Sequence, residues 1–462
     1  MPKLLRIRSS PRQEAGSITV SADVAEALGL GAKRRVQLWV GARTVPVRVR
    51  VRRRGAGLLH AHPGLLATLQ LPNRRDLPLQ ARVRGRDLRL GPVIGIFTSS
   101  VRRSDRPFGQ ASEMLEHLCR KGRRRGYLVF VFTPADIRWS EQRVCGYEPV
   151  GGGWVRRIFP FPDAVYDCVP SRSAERRPSV RLARARLIAA VHNRYFNRGF
   201  FDKWEVHRLL VGDERIQPYL PETERYMGTR RLCQKLREWQ GAWLKPSGGS
   251  LGRGIIIVRR LEGRGYHVLS PRGRWARTVR TQAGLRRVLH ARMQRGPYVM
   301  QRELRLARYQ GRPFDVRILM QRGVHGVWRR TKLYTRVAAP GGSVTNIAQG
   351  GEGLPFQQVA AAASGEVPRL SGQILARMRQ LAYLITEQIE QRSGQTLGEV
   401  ALDLGIDESG QIWFLEANSK PFRAVATETG SQAVVRKALI RPLHYAAYLA
   451  GFGKGRPGVN GP

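Results

Sequence analysis

The stretch EVALDLGIDESGQIWFLEANSKP, residues 399–421, decides the fold of this chain. It places two segments rich in apolar residues on either side of Asp407–Gly410, a segment rich in turn-forming residues, and so predicts a β-hairpin. We expect Ile406 to pair with Gln411 across this turn. That register determines which side chains of the two strands share a face.

With this register Asp403 lies opposite Phe414, and strand alternation places three polar side chains on one face: Asp403, Glu416 and Asn418. The opposite face carries largely apolar residues and should support the core: Leu402, Leu404, Ile406, Trp413 and Leu415. Carboxylate and amide oxygens that lie close together suit a Mg²⁺ ion bridging phosphates. The hairpin therefore predicts a metal site. The alternative is a solvated polar face, and a slip of one residue would separate the three side chains.

A second stretch, AWLKPSGGSLGRGIIIV at 242–258, places a lysine and four glycines between two predicted strands. Glycines let backbone N–H groups approach a phosphate closely, and Lys245 adds a positive charge. The stretch is not a P-loop, because it is followed by a strand and not by a helix. It predicts a flexible flap over phosphates, and the alternative is an ordinary turn.

A third group of basic residues lies between these two stretches, within 301–321 and 332–351. Arg317, Lys332 and Arg336 could clamp phosphate oxygens, since a guanidinium can donate two parallel hydrogen bonds to them. In a chain so rich in arginine, the alternative for each arginine is a place on the surface.

Residues 1–90 are predicted to form a β-rich, barrel-like domain with five short strands: Leu4–Ile7, Ser17–Val20, Val36–Val40, Val47–Val51 and Leu79–Val83. The segments 18–30 and 58–71 resemble each other, which suggests a barrel of two similar halves. A domain of this kind indicates binding or docking and not catalysis.

Residues 91–200 are predicted to form a small α/β domain. PVIGIFTSS at 92–100 and YLVFVFTP at 127–134 read as buried parallel strands. A helix over 110–121 would connect them in a right-handed βαβ unit.

Residues 201–452 mix strands and helices, and the fold class of the whole chain is therefore α/β and α+β with several domains. A long amphipathic helix is expected from Ser371 to about Gln391. A second helix over 434–449 should be broken at Pro442. Residues 453–462 are expected to be a flexible tail.

The chain has 462 residues and a formal net charge of +47, from 81 basic and 34 acidic residues. Its basic residues are spread over the whole length, and no basic strand carries interleaved aromatic residues, so nucleic acid is expected to bind only nonspecifically. The four cysteines form no metal-binding motif. No long apolar run and no secretory signal are found, which predicts a cytoplasmic protein without a membrane span.

In chain order, the flap lysine, the basic group and the acidic hairpin resemble the ATP-grasp superfamily. The strings FDKWEVHRLL, YLPETERY, WLKPSGGSLGRGI and FLEANSKPF are similar to its YheC/YheD branch, which is associated with the coat of endospores. The resemblance extends from about residue 91, including IGIFTSS and FGQASEML, to about residue 450. It implies an ATP-grasp fold that follows a small α/β domain.

The resemblance also implies ATP and Mg²⁺ as cofactors, with Mn²⁺ as the alternative metal. The residues expected at the nucleotide are Lys245, Ser247, Gly248, Gly249, Ser250, Gly252, Gly254, Gln301, Glu303, Leu304 and Lys332. Arg317 and Arg336 would bind phosphate or the acyl-phosphate, with Asn346 near the acceptor. Asp403, Glu416 and Asn418 would hold the metal. Lys203 stands where many relatives carry a lysine, and its contact with phosphate is left open.

Family chemistry implies a ligase that activates a substrate carboxylate as an acyl-phosphate, which an amine or another nucleophile then opens, in formation of the spore coat. The expected partners are ATP, spore coat proteins and an unknown carboxylate, for which the positive charge favours an acidic peptide or polymer. The alternative is a noncatalytic, polyanion-binding structural protein of the spore that retains the fold. For the ligase, Asp403→Ala and Glu416→Ala should lose turnover and keep the fold.

Overall fold

The computed structural model describes the chain except for residues 1, 32–34, 54, 73, 103–104, 250–251, 264, 348–349, 364–371, 422–430 and 454–462. The described strands form a closed barrel followed by three open sheets, with helices packed on the open sheets. This mixed architecture, which starts with a barrel, confirms the predicted fold class. The predicted tail lies almost entirely outside the described residues. None of the described helices has the length and apolar character needed to cross a membrane.

The N-terminal barrel consists of β1 (Lys3–Ser9), β2 (Ser17–Ser21), α1 (Ala22–Ala27), β3 (Arg35–Val40), β4 (Arg43–Arg52), β5 (Leu58–Ala61), α2 (Pro63–Thr68), β6 (Leu77–Arg84) and β7 (Asp87–Gly91). The strands are ordered β1-β5-β2-β4-β3-β7-β6, and β6 pairs with β1 to close the barrel. Side chains alternate between inside and outside, so Leu5 and Ile7 are buried while Arg6 between them is exposed.

The pairings of the barrel strands repeat. β2 runs parallel to β4 as β5 runs parallel to β1, and β3 is antiparallel to β4 as β6 is antiparallel to β1. A short helix follows β2 and another follows β5, within the two segments whose sequences resemble each other. The barrel is therefore built from two interlocked units, to which β7 adds a strand between β3 and β6.

The central domain contains β8 (Val93–Phe97), α3 (Ser112–Arg124), β9 (Leu128–Phe132), β10 (Ile137–Arg138), β11 (Arg143–Val150), β12 (Gly153–Pro160), β13 (Ala164–Asp167), α4 (Arg172–Glu175), α5 (Pro178–Val191) and β14 (Tyr195–Phe196). β8 pairs in parallel with both β9 and β13, as the βαβ prediction requires. Every residue of β8 and β9 is buried, which is typical of parallel strands covered on both faces.

The third sheet has the order β15-β20-β16-β17-β18-β19 and carries helices α7 and α8 on one face. Its region comprises α6 (Lys203–Leu210), β15 (Thr223–Arg225), α7 (Thr229–Trp239), β16 (Gly241–Pro246), β17 (Ile256–Leu261), β18 (Gly265–Leu269), β19 (Ala276–Val279), α8 (Gln282–Arg292) and β20 (Tyr298–Arg302). The predicted flap is the connection between β16 and β17.

The fourth sheet has the order β24-β23-β22-β25-β26. Its region comprises β21 (Arg308–Tyr309), β22 (Arg312–Arg322), β23 (Trp328–Val337), β24 (Glu352–Leu354), α9 (Phe356–Ala363), α10 (Gly372–Ser393), β25 (Glu399–Ile406), β26 (Ile412–Asn418) and α11 (Gln432–Ala447). One face packs on α10, where Ile318 and Leu402 join the same core as Met378. The other face carries the charged side chains of the candidate site.

Helix α11 continues through Pro442, so the predicted break is wrong. A proline has no N–H to donate to the carbonyl four residues earlier, here that of Ala438. Gln321 on β22 donates its Nε2 to this carbonyl at 2.8 Å and supplies the missing hydrogen bond. The helix can therefore remain continuous, and it covers one end of the charged face of the fourth sheet.

Candidate active site

The hairpin of β25 and β26 turns at Asp407–Gly410, as predicted, but its register differs from the prediction. Ile406 pairs with Ile412 and not with Gln411. A β-bulge next to Asp403 then places this residue opposite Glu416 and not opposite Phe414. The predicted register is therefore wrong, although the three polar residues still share a face.

The bulge also changes the face on which side chains of β26 lie, including Leu415, which the predicted register places on the core face. Residues Leu404 and Phe414 pair and lie in the core on α10, whereas Asp403 and Glu416 pair on the opposite face. Leu415 between them therefore lies on the side of the charged residues and lines the cleft. The extra residue reverses the alternation within the strand, so that Phe414 is buried and Glu416 remains accessible.

Asp403 lies at the centre of a buried network of charges. It accepts two hydrogen bonds from Arg317, at 2.7 and 2.8 Å, and lies 2.9 Å from the nearest nitrogen of Arg336. Arg336 also pairs with Asp315, which accepts a hydrogen bond from Thr345. Two guanidinium groups thus balance two carboxylates in a nearly dry environment, where removal of a single partner is costly.

Burial and charge act in opposite directions on the two acids of this network. Burial raises the pKa of Asp315, and Arg336 offsets this only in part. Burial would also raise the pKa of Asp403, but the neighbouring Arg317 and Arg336 outweigh it and lower that pKa. Asp403 is therefore a carboxylate whose two oxygens both accept hydrogen bonds from arginine.

A cleft opens beside this network, between the third and fourth sheets. Its space is about 450 Å³, including the part that is open to solvent. Six polar residues line it, namely Lys203, His207, Thr223, Lys245, Gln301 and Glu416. Its walls are largely apolar and include Val206, Leu220, Val299, Phe414 and Leu415. A cleft with apolar walls and a few converging polar groups is the usual form of a small-molecule site.

Lys203 connects three parts of the cleft. Its Nζ donates to Glu416 Oε1 at 2.9 Å and to the carbonyl of Gly249 in the flap at 2.8 Å. Asp202 beside it accepts a hydrogen bond from the hydroxyl of Ser247 at 2.6 Å. The start of α6 therefore joins the flap to β26 and brings Lys203 into the cleft.

Lys245 is a cation held in a poorly solvated position. Burial, together with the nearby charge of Lys203, lowers its pKa to about 8, and Glu416 opposes the shift. Its Nζ donates to Gln301 Oε1 at 2.5 Å, and Gln301 in turn donates to Thr223 at 2.9 Å. Binding of an anion stabilises the charged form of such a lysine, because the anion replaces the solvation that burial removed.

The described part of the flap has a backbone conformation that would allow its N–H groups to approach a phosphate closely. Gly252 and Gly254 have φ of 68° and 73°, in the left-handed region that favours glycine. Gly248 is exposed, and Gly249 bends back so that its N–H donates to the carbonyl of Pro246 at 2.9 Å. Ser250, also predicted to contact the nucleotide, lies outside the described residues.

Several predicted residues do not meet in the cleft. Glu303 is held by Arg259 through two hydrogen bonds of 2.9 and 2.8 Å, outside the group that surrounds Lys245. Leu304, just after it, is half-buried and is not among the lining residues. Lys332 lies 4.6 Å from the ring centre of Tyr334, and the backbone carbonyl of Asn346 accepts a hydrogen bond from Gly351.

Arg172 is a neighbour of the site that the sequence did not single out. It begins α4 in the central domain, donates to the carbonyl of Phe201 and lies 5.3 Å from the ring centre of Phe200. A side chain added at Gly248 would lie 3.9 Å from its Cδ, so Arg172 borders the flap. One arginine among so many carries no sequence signal of its own.

The end of β26 is fastened to the central domain. Lys420 donates to Asp167 at 2.6 Å and to Glu175 at 3.2 Å, and all three side chains are largely buried. Ser419 donates to the carbonyl of Gly199 at 2.7 Å. These contacts fix the position of the strand that carries Glu416.

The residues available for a metal fit the expected ligand set in part. Glu416 is the accessible carboxylate, with 30% of its side chain exposed, whereas the exposed share of Asp403 is 5%. In the part of the chain that the structure describes, no three acidic, histidine or cysteine side chains cluster around a single point. A metal would therefore need the amide oxygen of Asn418 and oxygens from a ligand as well.

The family model for YheC/D-like ATP-grasp proteins matches residues 192–449, more than half of the chain and the whole cleft region. The chain belongs to this family. The ATP-grasp fold of this family implies binding of ATP and use of a divalent metal.

Two proteins of Bacillus subtilis (strain 168) are similar in sequence to this YheC/D-like protein. One, endospore coat-associated protein YheD, is 26% identical over 413 residues, which cover 89% of this chain and 90% of that protein. The other, endospore coat-associated protein YheC, is 26% identical over 302 residues, which cover 63% of this chain and 80% of that protein. Because it covers 89% of this chain, the first likeness extends into the N-terminal barrel region.

Among solved structures, a D-alanine–D-alanine ligase from Bacillus anthracis complexed with ATP is similar, with a TM-score of 0.43 and 10% identity. The likeness covers 78% of this chain and 97% of the ligase. The D-cycloserine synthetase DcsG has a TM-score of 0.42 and 15% identity, with coverage of 77% and 99%. These likenesses concern the fold only.

Proposed function

We propose that this protein is an ATP-dependent ligase that activates a substrate carboxylate for attack by an amine or another nucleophile. The observation that carries the proposal is the cleft in which Lys203 and Lys245 face Glu416. It adjoins the buried arginines of the Asp403 network. Such a concentration of cations around one accessible carboxylate suits a polyphosphate that arrives with a metal ion.

The lining of the cleft favours one orientation of the nucleotide. The apolar wall of Val206, Leu220 and Val299 offers a surface for a flat base, and the phosphates then point towards the flap and Lys245. An incoming phosphate would take the hydrogen bond that Lys245 now gives to Gln301. The exchange favours binding, since burial destabilises the charge of Lys245 while no anion is near.

Glu416 and Asn418 would hold the metal, Mg²⁺ or Mn²⁺, which neutralises charge on the phosphates when it is bound. Lys203 donates to Glu416 Oε1, and the same ammonium group could donate to a phosphate oxygen in the cleft. Asp403 could contribute an oxygen more readily if Arg317 gave up one of its two hydrogen bonds. We propose that Arg317 makes this exchange with the transferred phosphoryl group.

The reaction has two displacements. A carboxylate oxygen of the substrate attacks the γ-phosphorus, the bond to the β-γ bridging oxygen breaks with its electron pair, and ADP leaves. An amine nitrogen then attacks the acyl carbon, the acyl carbon–oxygen bond breaks, phosphate leaves, and the nitrogen loses a proton. Arg317 and Arg336 would stabilise the charge of the acyl-phosphate once each gives up part of its pairing with Asp403. The names of the two Bacillus relatives support a role at the endospore coat.

The first experiment is unfolding in urea with and without Mg-ATP, on the wild type, Glu416→Gln and the control Glu408→Gln. Nucleotide at a hundred times its dissociation constant should stabilise the wild type by about 2.7 kcal/mol. Glu408 is an exposed acid of the same hairpin, so its variant should keep this gain. Glu416→Gln should fold normally and lose most of it, because the accessible metal ligand is gone.

Release of phosphate from ATP in the presence of candidate carboxylates then tests the ligase itself. A gain in stability for the wild type without phosphate release, over a broad set of acidic peptides, would favour the alternative of a structural protein that retains the fold. No gain from Mg-ATP in any of the three proteins would overturn the proposed nucleotide site.

A further inference from the structure

The outer face of the barrel carries an organised set of arginines. Five of them, Arg6 and Arg8 on β1 with Arg48, Arg50 and Arg52 on β4, lie on the outside of the four adjacent strands β1, β5, β2 and β4. We call this set the arginine face. One row runs directly across the strands from Arg8 through His60 and Thr19 to Arg50.

Most of the charge on the arginine face is not neutralised. Arg8 pairs with Asp76 at 2.6 Å, and Arg50 pairs with Glu14. Within the described part of the chain, Arg6, Arg48 and Arg52 have no carboxylate partner. Residues 1–91 contain 19 basic and 5 acidic side chains, a higher ratio of basic to acidic residues than the 81 and 34 of the whole chain.

His60 lies among the same arginines, and their charge affects its pKa. Burial lowers its pKa, and the neighbouring Arg8 and Arg52 lower it further. Four of the five arginines are exposed and Arg8 is partly exposed. Contacts of the barrel with the rest of the chain include Leu4 of β1, which lies next to Gly126, and Arg43 at the start of β4, which donates to the carbonyl of Glu141. Arg82 of β6 donates to the carbonyl of Gly451, and Gln80 of β6 donates to that of Arg125 at 3.0 Å.

The spacing of these charges matches one type of polyanion. Same-side residues of a strand repeat about every 6.8 Å, so Arg48, Arg50 and Arg52 form a regular row. An extended acidic polypeptide repeats its same-side carboxylates at the same interval. Single-stranded nucleic acid binds through stacked bases, and the positions between these arginines hold Leu58, His60 and Thr19 and no Phe, Tyr or Trp.

We infer that the arginine face is a docking surface for an extended acidic polypeptide. Its use as a recruitment site for the substrate rests on the proposed ligase function, whereas the docking itself does not need nucleotide. A strand-like acidic chain that lies along β4 would bring successive carboxylates against Arg48, Arg50 and Arg52. The closed barrel offers side chains only, so the partner is held by charge and remains able to slide.

The test is fluorescence anisotropy with the full chain and a labelled poly-L-glutamate of about twenty residues, without nucleotide, near physiological salt. Arg48→Gln/Arg52→Gln removes two charges from the face. Arg286→Gln/Arg287→Gln removes two exposed charges from α8 and is the matched control. We expect the affinity to fall about tenfold for the first double variant and less than about twofold for the control.

Three results would overturn the inference. The first is an equal loss of affinity in both double variants, and the second is no binding of poly-L-glutamate to the wild type. The third is an oligothymidylate of the same charge that binds more tightly than poly-L-glutamate and loses as much affinity in Arg48→Gln/Arg52→Gln. The last would assign the face to nucleic acid. The gain in stability from Mg-ATP should be unchanged in Arg48→Gln/Arg52→Gln, so failure of the docking surface and failure of the nucleotide site can be distinguished.

Discussion

At the scale of single residues, the positive charge of Lys245 in the cleft destabilises the folded protein when no anion is bound. Lys245 would have a pKa near 10.5 if it were solvated, and burial with the charge of Lys203 lowers it to about 8. Below pH 8 the lysine is charged in both the folded and the unfolded chain, so the folded protein bears the full cost. Between the two pKa values the unfolded chain binds more protons, and stability from this group therefore rises with pH.

Lys245→Met should therefore stabilise the protein without nucleotide by about 1 to 3 kcal/mol near neutral pH. The gain should shrink at about pH 9.5, because the wild-type lysine is then largely neutral in the fold. Urea unfolding at both pH values measures this, and Mg-ATP should no longer stabilise the variant. The exposed Lys437→Met is the control and should change stability by less than about 0.5 kcal/mol. A lower free energy of unfolding for Lys245→Met than for the wild type would contradict the conclusion that the charge of Lys245 destabilises the folded protein.

At this scale, sequence reasoning singled out several residues that the structure brings together. Lys245, Gln301 and Glu416 all line the cleft, and Arg317, Arg336 and Asp403 meet in one network. It did not identify the pair of Lys203 with Glu416 or the approach of Arg172 to the flap. These contacts join residues far apart in the chain, and only the packing of the domains brings them together.

The structure also changes the expectation that Asp403→Ala keeps the fold. Asp403 is almost fully buried between two arginines, so its removal would leave both guanidinium groups without that partner. Glu416, which is more exposed, remains the variant that separates function from folding.

At the scale of single elements, helix α11 is supported by a side chain of the neighbouring sheet. Gln321 is fully buried and also donates to Glu399 at 2.9 Å, so one amide serves both the helix and β25. A rule that reads Pro442 as a helix break cannot include such a donor from a distant strand.

A double-mutant cycle tests this support. Gln321→Met should destabilise the protein by about 2 to 3 kcal/mol, because it leaves buried acceptors unpaired. In the Pro442→Ala background the backbone N–H of residue 442 can reach the carbonyl of Ala438, so the same change should cost about 1 kcal/mol less. Additive effects in urea unfolding would mean that Gln321 does not act through this carbonyl.

The hairpin shows why element boundaries were easier to predict than register. Asp407 accepts hydrogen bonds from the N–H groups of Ser409 and Gln411, and such a turn is readable from local sequence. The bulge beside Asp403 arises because Phe414 has to reach the core on α10. That requirement comes from tertiary packing and has no local signal.

At the scale of the whole molecule, one buried carboxylate joins the barrel to the central domain. Glu148 on β11 is 2% exposed and pairs with Arg123 and Arg157 of its own domain and with Arg74 of the barrel, the last at 2.5 Å. Three arginines thus share one acid across the domain boundary.

Glu148→Gln should lower the free energy of unfolding by about 2 to 4 kcal/mol, since three partly buried cations lose their counter-charge. Hydrogen exchange should become faster mainly in β6 and β11, on the two sides of this contact. Glu113→Gln, an exposed acid on α3, should leave both quantities unchanged. Uniform acceleration over the whole chain would argue against a local joint.

The interlocked barrel also has a consequence for synthesis of the chain. β1 is made before both of its neighbours, β5 and β6, which come later in the sequence. At the usual rate of translation the barrel stays incomplete for on the order of ten seconds, until β7 has left the ribosome. During that time the unpaired β1 is open to the wrong partner, and its exposed arginines keep it soluble while it waits.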